Sequence, residues 1–259
     1  MRKRFSLRRR FLLVALLVSF VSGIALVGTS SASALASTAR PGYGPGPART
    51  HCPRGGVPPT SRFSPPNPQV VPYFLGDYRL GPKYLPLRGP IAKMLIGYVR
   101  YDDTAPYQFI GCFWRMTPTA DNWRYPIDMG FVVIDGKPIE RTVTLRPGQE
   151  IDLFGNPGNT SATTSSGGQF LAPAGTPYAE RAIPPTNLDT YPGNNQFNYY
   201  RYEVVKKFPV LAGPVAPWFD QPGGGIQDYL GDTTGPGLPA SPGIANLVKA
   251  GYVKVVPVS

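Results

Sequence analysis

The sequence predicts a compact α+β fold: a mostly antiparallel β core with few short helices, plus an irregular N-terminal accessory region. Three observations lead there. Short runs rich in β-branched and aromatic residues recur from residue 130 onward. Apolar stretches of helical spacing are few and short, and 32 Pro and 30 Gly break the remainder into long connections.

Taken in order, the chain opens with six basic residues (Arg2, Lys3, Arg4, Arg8, Arg9 and Arg10), then an apolar run from Phe11 to Val27 and small residues ending in Ala34-Leu35-Ala36. This is the pattern of a secretory signal peptide over 1–36, with a membrane anchor as the other reading of so long an apolar run. Export by the general or the twin-arginine route stays open. Residues 37–68 form a Pro/Gly-rich arm, with 14 Pro and Gly among the 28 residues of 41–68, a composition that excludes regular helix and central strand. Residues 69–126 read as the accessory region, with one short helix expected at Ile91–Ile96.

The main domain is expected over 127–259. Gly130–Ile134 followed by Asp135-Gly136 predicts a strand and tight turn, with Ile139–Leu145 as the return strand. Further strands are expected near Glu150–Phe154, Gln169–Ala172 and Tyr200–Lys206. Asn156–Gly168 is a polar Ser/Thr/Gly loop. A turn of helix near Tyr178–Ala182, a helix at Ile244–Ala250 and a closing strand at Tyr252–Val256 complete the reading.

Composition excludes several chemistries. The net charge of +11 falls to +5 once the six basic residues of the leader are removed. That modest excess suits an anionic small molecule, and no Lys/Arg cluster interleaved with aromatics speaks for nucleic acid. With a single histidine, His51, and two cysteines, Cys52 and Cys112, the chain has no ligand set for zinc or haem. Cys-His and Ser-His-Asp nucleophilic catalysis are equally poorly supplied. In an exported chain the cysteine pair reads as a disulfide, which stabilises by roughly 4 kcal/mol in the chain-entropy picture. No G-x-G-x-x-G opens a helix after a strand, so a Rossmann mode of dinucleotide binding is absent.

One stretch stands out: Ala216-Pro217-Trp218-Phe219-Asp220-Gln221-Pro222-Gly223-Gly224-Gly225-Ile226-Gln227. Its glycines let a ligand approach the backbone, its aromatics offer a face for a flat ring, and Gln221 carries donors and an acceptor. It also reads as a Gly-rich surface turn with two core aromatics. Upstream lie Phe170-Leu171-Ala172-Pro173-Ala174-Gly175-Thr176-Pro177-Tyr178-Ala179-Glu180-Arg181-Ala182-Ile183-Pro184-Pro185 and Val210-Leu211-Ala212-Gly213.

These blocks, in this order, resemble the tuberculosis necrotizing toxin (TNT) domain family, whose members are secreted NAD glycohydrolases. The likeness covers roughly 145–256, and Gly81-Pro82-Lys83-Tyr84-Leu85-Pro86 is weakly similar to the fungal-type extracellular NADases. It implies Gln221 as the catalytic glutamine, orienting water or the ribose hydroxyls, and Arg181 as the residue that holds a phosphate. Phe154, Phe170 and Phe219 would wall the pocket. For Arg181 the alternative is a surface arginine at the end of a short helix, and for the phenylalanines it is core packing. The family's D-R-F-G element stands here as Asp152-Leu153-Phe154-Gly155, so a leucine replaces an arginine; Arg141, Arg146 or an accessory-region arginine is the available substitute.

In NAD the nicotinamide leaves from a cationic N-glycosidic bond and departs neutral, so no general acid is required. Stabilising an oxocarbenium-like ribose and placing a water suffice, which neutral amides, aromatic walls and an arginine can do without metal or cofactor. The resemblance therefore implies an extracellular NAD(P) glycohydrolase, with NAD or NADP as substrate, no cofactor, and no membrane or nucleic-acid partner after signal cleavage; an immunity protein is a further partner it allows. Leu153 motivates the alternative of a catalytically silent, secreted binding protein of TNT fold. ADP-ribosyl transfer or cyclisation is a third option. The oligomeric state is not set by the sequence.

Overall fold

The computed structural model describes residues 73–102, 104–116, 121–158, 168–189, 196–231, 235, 237–239 and 243–258. All belong to the second of two units into which the chain divides, Tyr43–Ser259. The signal peptide, the arm, His51, Cys52 and most of the polar loop after Asn156 lie outside the described residues.

The accessory region is more regular than its composition suggests. It carries α1 (Gly89–Met94), α2 (Pro106–Phe113) and a short antiparallel hairpin of β1 (Trp114–Met116) and β2 (Asp121–Trp123). Both helices begin with a proline in the first turn, where its missing N–H costs nothing. α1 starts two residues earlier than the expected Ile91–Ile96 and ends at Met94.

The next hairpin joins β3 (Val133–Ile134) to β4 (Lys137–Pro138) through Asp135 and Gly136, whose φ values of 51° and 72° suit a type I′ turn. The expected return strand is thereby corrected. β4 is the partner, and the segment after it, β5 (Arg141–Leu145), pairs with a strand much later in the chain.

The main sheet has seven strands: β5, β6 (Glu150–Phe154), β7 (Phe170–Pro173), β8 (Tyr199–Val204), β9 (Phe208–Pro214), β10 (Ile226–Tyr229) and β11 (Val253–Val256). Their order is β11-β8-β6-β7-β10-β9-β5, and every pair is antiparallel. The mostly antiparallel α+β class is therefore the observed one. β9 and β10 were not anticipated. A third helix, α3 (Ile244–Lys249), packs before the last strand.

Among the described residues, three apolar clusters hold the fold together. Leu145, Ile151, Leu171, Val204, Val210 and Leu247 belong to one, fed by strands from both ends of the sheet. The turn after β5 ties that edge strand to β8, next to the opposite edge: Gly148 donates to the Val204 carbonyl and Val204 to that of Gln149. An aromatic cluster of Phe109, Phe113, Trp114, Trp123 and Phe219 joins α2 and the β1–β2 hairpin to the loop after β9. In the third, Ile91 and Met94 of α1 meet Phe154, Tyr178, Leu188 and Tyr199. The accessory region is thus welded to the β domain through apolar surface, the dominant favourable contribution to folding.

Candidate functional site

The ends of β6 and β7 and the start of β10 open onto a cleft of about 890 Å³. Leu153, Phe154 and Asn156 form one wall and Phe170 to Ala172 another; Gln227 and the loop Tyr125–Gly130 close the third side. Arg181, Thr186, Asn187 and Asn198 also line it. This size and mixture, apolar walls with a few polar groups, are those of a small-molecule site.

Arg181 is where the chain invests most. It ends a single 3-10 turn, Ala179–Arg181, and is only 7% exposed. Its Nε and Nη2 donate to the Thr176 carbonyl at 3.0 and 2.9 Å. Nη2 also lies 2.6 Å from Oδ1 of Asp152, and the guanidinium sits 5.1 Å from the centre of the Phe154 ring. Asp152 is fully buried; its Oδ2 accepts from the Gly175 N–H at 2.8 Å and the Tyr199 hydroxyl at 2.9 Å. Burial pushes the Asp152 carboxyl above its usual range, while Arg181 pulls it back.

The glycine run serves this arginine. Gly223 donates to the Ala179 carbonyl, Gly224 to that of Val215 and Gly225 to that of Glu180. A Cβ on Gly223, at φ +64°, would stand 2.6 Å from the Val215 carbonyl oxygen; one on Gly225 would stand 3.0 Å from that of Glu180. Gly223 and Gly225 are needed for close backbone approach behind Arg181, and none of the three glycines lines the cleft.

The two glutamines of this loop part company. Gln221 is 5% exposed, its Nε2 donates to the Val99 carbonyl at 2.8 Å, and it does not line the cleft. It closes a tight turn with Trp218, with Phe219 and Asp220 at φ 51° and 54° between them. Phe219 is buried within the aromatic cluster, 5.2 Å from Phe113 and 5.5 Å from Trp123, and is likewise absent from the cleft walls. The glutamine in the cleft is Gln227, at the start of β10, whose Nε2 donates to the Met129 carbonyl at 2.9 Å. Of the residues expected from the sequence, Arg181, Phe154 and Phe170 are brought together, and Gln221 and Phe219 are not. The signal that separates the glutamines is the strand register of β10, which places Gln227 opposite Gly213.

Asn198 also escaped the sequence reading. It is 3% exposed, lines the cleft, adopts φ 50°, and its Oδ1 has no hydrogen-bond partner. A buried amide oxygen without a partner is costly unless something supplies a donor. Leu153 lines the cleft and packs into the main core, 5% exposed. Among the described residues, Arg181 is the one arginine or lysine in the cleft walls. Neither Arg141 nor Arg146 reaches it, and Arg79 is paired with Asp77 at 2.6 Å. Cys112 is buried in α2, and Cys52 lies outside the described residues. The described residues contain no group of three or more His, Cys, Asp or Glu able to hold a metal ion.

Residues 144–256 match the family model described as tuberculosis necrotizing toxin. A conidial surface nicotinamide adenine dinucleotide glycohydrolase, nadA, of Aspergillus fumigatus is 40% identical over 156 residues, which are 60% of this chain and 63% of that protein. The chain thus spans less than two thirds of the length of that relative. Among solved structures, tuberculosis necrotizing toxin complexed with its immunity factor IFT is similar at a TM-score of 0.42 and 17% identity, over 58% of this chain and 71% of that one. Tse6 in complex with Tsi6 is similar at 0.26 and 18%, over 46% and 72%. Over residues 144–256 the chain is therefore similar to the tuberculosis necrotizing toxin family, the likeness first carried by its three motifs.

Proposed function

We propose that the chain is an extracellular NAD(P) glycohydrolase: water attacks the anomeric carbon of the nicotinamide ribose, the N-glycosidic bond breaks, and nicotinamide, ADP-ribose (or its phosphate) and a proton are released. The observation that carries the reading is the buried Arg181, the one arginine or lysine among the described cleft residues, in a cleft that the amides of Gln227 and Asn198 also line. An arginine suits the diphosphate through its planar donors, and the amides suit hydroxyls, water and the carboxamide of the leaving group. Since the leaving group departs neutral, the chemistry asks for charge stabilisation and placement rather than a titrating pair. Gln227 takes the role that the motif likeness gave to Gln221.

Export through the 1–36 signal peptide and a Cys52–Cys112 disulfide belong to the same proposal, in keeping with the surface location in the fungal relative's name. An immunity-type protein is a further partner in the same proposal, as in the complex of tuberculosis necrotizing toxin with its immunity factor IFT. A second reading, a silent binding protein, rests on Leu153, which leaves the cleft walls with a single cation among the described residues.

Incubating the secreted, oxidised protein with NAD and NADP and separating the products decides between them. Nicotinamide and ADP-ribose in equal amounts support the hydrolase. Cyclic or protein-linked ADP-ribose would redirect it to transfer chemistry, and tight binding without turnover would establish the silent protein.

A further inference from the structure

Arg181 is held on several sides before any ligand arrives. Thr176 accepts from Nε and Nη2, Asp152 pairs with Nη2, and the Phe154 ring lies 5.1 Å away. Nη1 has no hydrogen bond among the described residues. Asp152 in turn is clamped from behind: its Oδ2 takes the Gly175 N–H and the Tyr199 hydroxyl, so the carboxylate has little freedom to turn. Tyr199 is 3% exposed, lies in β8 opposite Phe154 of β6, and its ring is 4.7 Å from that of Phe154. Two adjacent strands therefore hold the guanidinium from one side, and the Thr176 carbonyl holds it from another.

Such an arrangement is expensive if its purpose is stability. A buried ion pair pays desolvation on both partners and roughly breaks even against apolar packing. The investment becomes intelligible if it fixes one direction of the guanidinium, since a group already immobilised loses little entropy on binding.

We infer that Asp152, itself braced by Tyr199, is a positioning residue that holds Nη2 of Arg181 while the Thr176 carbonyl holds Nε, so that Nη1 is presented to a diphosphate oxyanion in the cleft. The inference rests on the proposed function for the identity of the site, and it assigns to β6 and β8 a task that the motif likeness does not. Leu153, between Asp152 and Phe154, lines the cleft without bringing a charge to it, so anchoring of the anion falls on Arg181 and on the carboxylate that aims it.

The test is isothermal titration of the full chain with inorganic pyrophosphate, for wild type, Arg181→Ala, Asp152→Asn, Tyr199→Phe and the doubles Asp152→Asn/Arg181→Ala and Tyr199→Phe/Arg181→Ala, each checked for fold by circular dichroism. Asp152→Asn is expected to weaken binding about tenfold to a hundredfold, the scale of a misplaced contact. Tyr199→Phe should weaken it by a smaller factor. Each double should bind no more weakly than Arg181→Ala alone, because the positioning residues act only through the arginine. If Asp152→Asn does not fold, Tyr199→Phe, which deletes one hydroxyl, reads the same coupling. Factors that multiply in the doubles, wild-type binding in both single variants, or no pyrophosphate binding by the wild type would overturn the inference. Coupled pyrophosphate binding without NAD turnover would sustain it and overturn the hydrolase reading alone.

Discussion

Replacing Gly225 with alanine isolates what the glycine run contributes to the site. An added Cβ would lie 2.9 Å from Cγ2 of Thr176, 3.0 Å from the Glu180 carbonyl oxygen and 3.1 Å from the Glu180 Cβ. Thr176 cannot simply swing away, because its hydroxyl donates to the Pro173 carbonyl at 2.7 Å. Nor can Glu180 retreat without stretching the hydrogen bond from the Gly225 N–H, now 3.0 Å. Relief therefore requires the 176–180 segment to shift by a few tenths of an ångström, carrying the carbonyl that holds Arg181. Overpacking of this kind costs about 2 kcal/mol, or roughly 6 °C in Tm. Gly224→Ala is the control. Gly224 sits at φ +88° with nothing within 4 Å of an added Cβ, so it incurs conformational strain of about 1–2 kcal/mol without pushing on Arg181. Thermal unfolding and steady-state NAD hydrolysis of both variants are the assay. Both should lose stability, while kcat/KM per folded molecule should fall about tenfold or more in Gly225→Ala and stay near wild type in Gly224→Ala. Equal activity in the two, at equal folding, would refute the claim that the glycines serve Arg181.

Asp189 is fully buried with neither carboxyl oxygen hydrogen-bonded, and burial pushes its pKa to about 9, against the pull of Arg100. The folded carboxyl thus keeps a proton that the unfolded chain releases near pH 4, so stability is expected to fall as pH rises from about 4 to about 9. Asp228, raised by burial to about 6, adds slope of the same sign at the acid end. Asp189→Asn should flatten the Tm profile above pH 6 and raise Tm at pH 8; a profile parallel to wild type would refute this. Leu153→Arg places a guanidinium where a leucine packs against the main core, so Tm should drop by several degrees with no rise in turnover. A rise in kcat/KM would show instead that the cleft works better with a second cation.

Much of the sheet was legible because β6, β7, β8 and β11 carry continuous strand-forming runs between turn residues. β9 was hidden by Pro209, Gly213 and Pro214, which read locally as breakers. β9 nonetheless pairs on both sides, and Gly213 is required there because an added Cβ would stand 2.1 Å from the Ile139 carbonyl oxygen. The return strand after Asp135-Gly136 was misjudged because Ile139–Leu145 has the better β composition; only the long-range pairing with β9 shows that it belongs elsewhere. Arg181 was legible through its motif. Which glutamine lines the cleft was not, because Gln221 and Gln227 are chemically identical and six residues apart. What separates them is a left-handed pair at Phe219 and Asp220, which turns Gln221 back towards Val99, and the register of β10, which delivers Gln227 to the cleft. Asn198 was invisible because its importance lies in an unpaired buried oxygen, a property of the folded environment.

The first measurement is NAD turnover by Gln227→Ala and Gln221→Ala beside the wild type, with product separation and a melting curve for each. A cleft that works through Arg181 and Gln227 should lose about a hundredfold or more in kcat with Gln227→Ala. Gln221→Ala should lower Tm, by removing the bond to Val99, and keep kcat per folded molecule within about twofold, as expected of a group outside the chemistry. The reverse pattern, with Gln221 essential and Gln227 dispensable in folded protein, would contradict this assignment of the site.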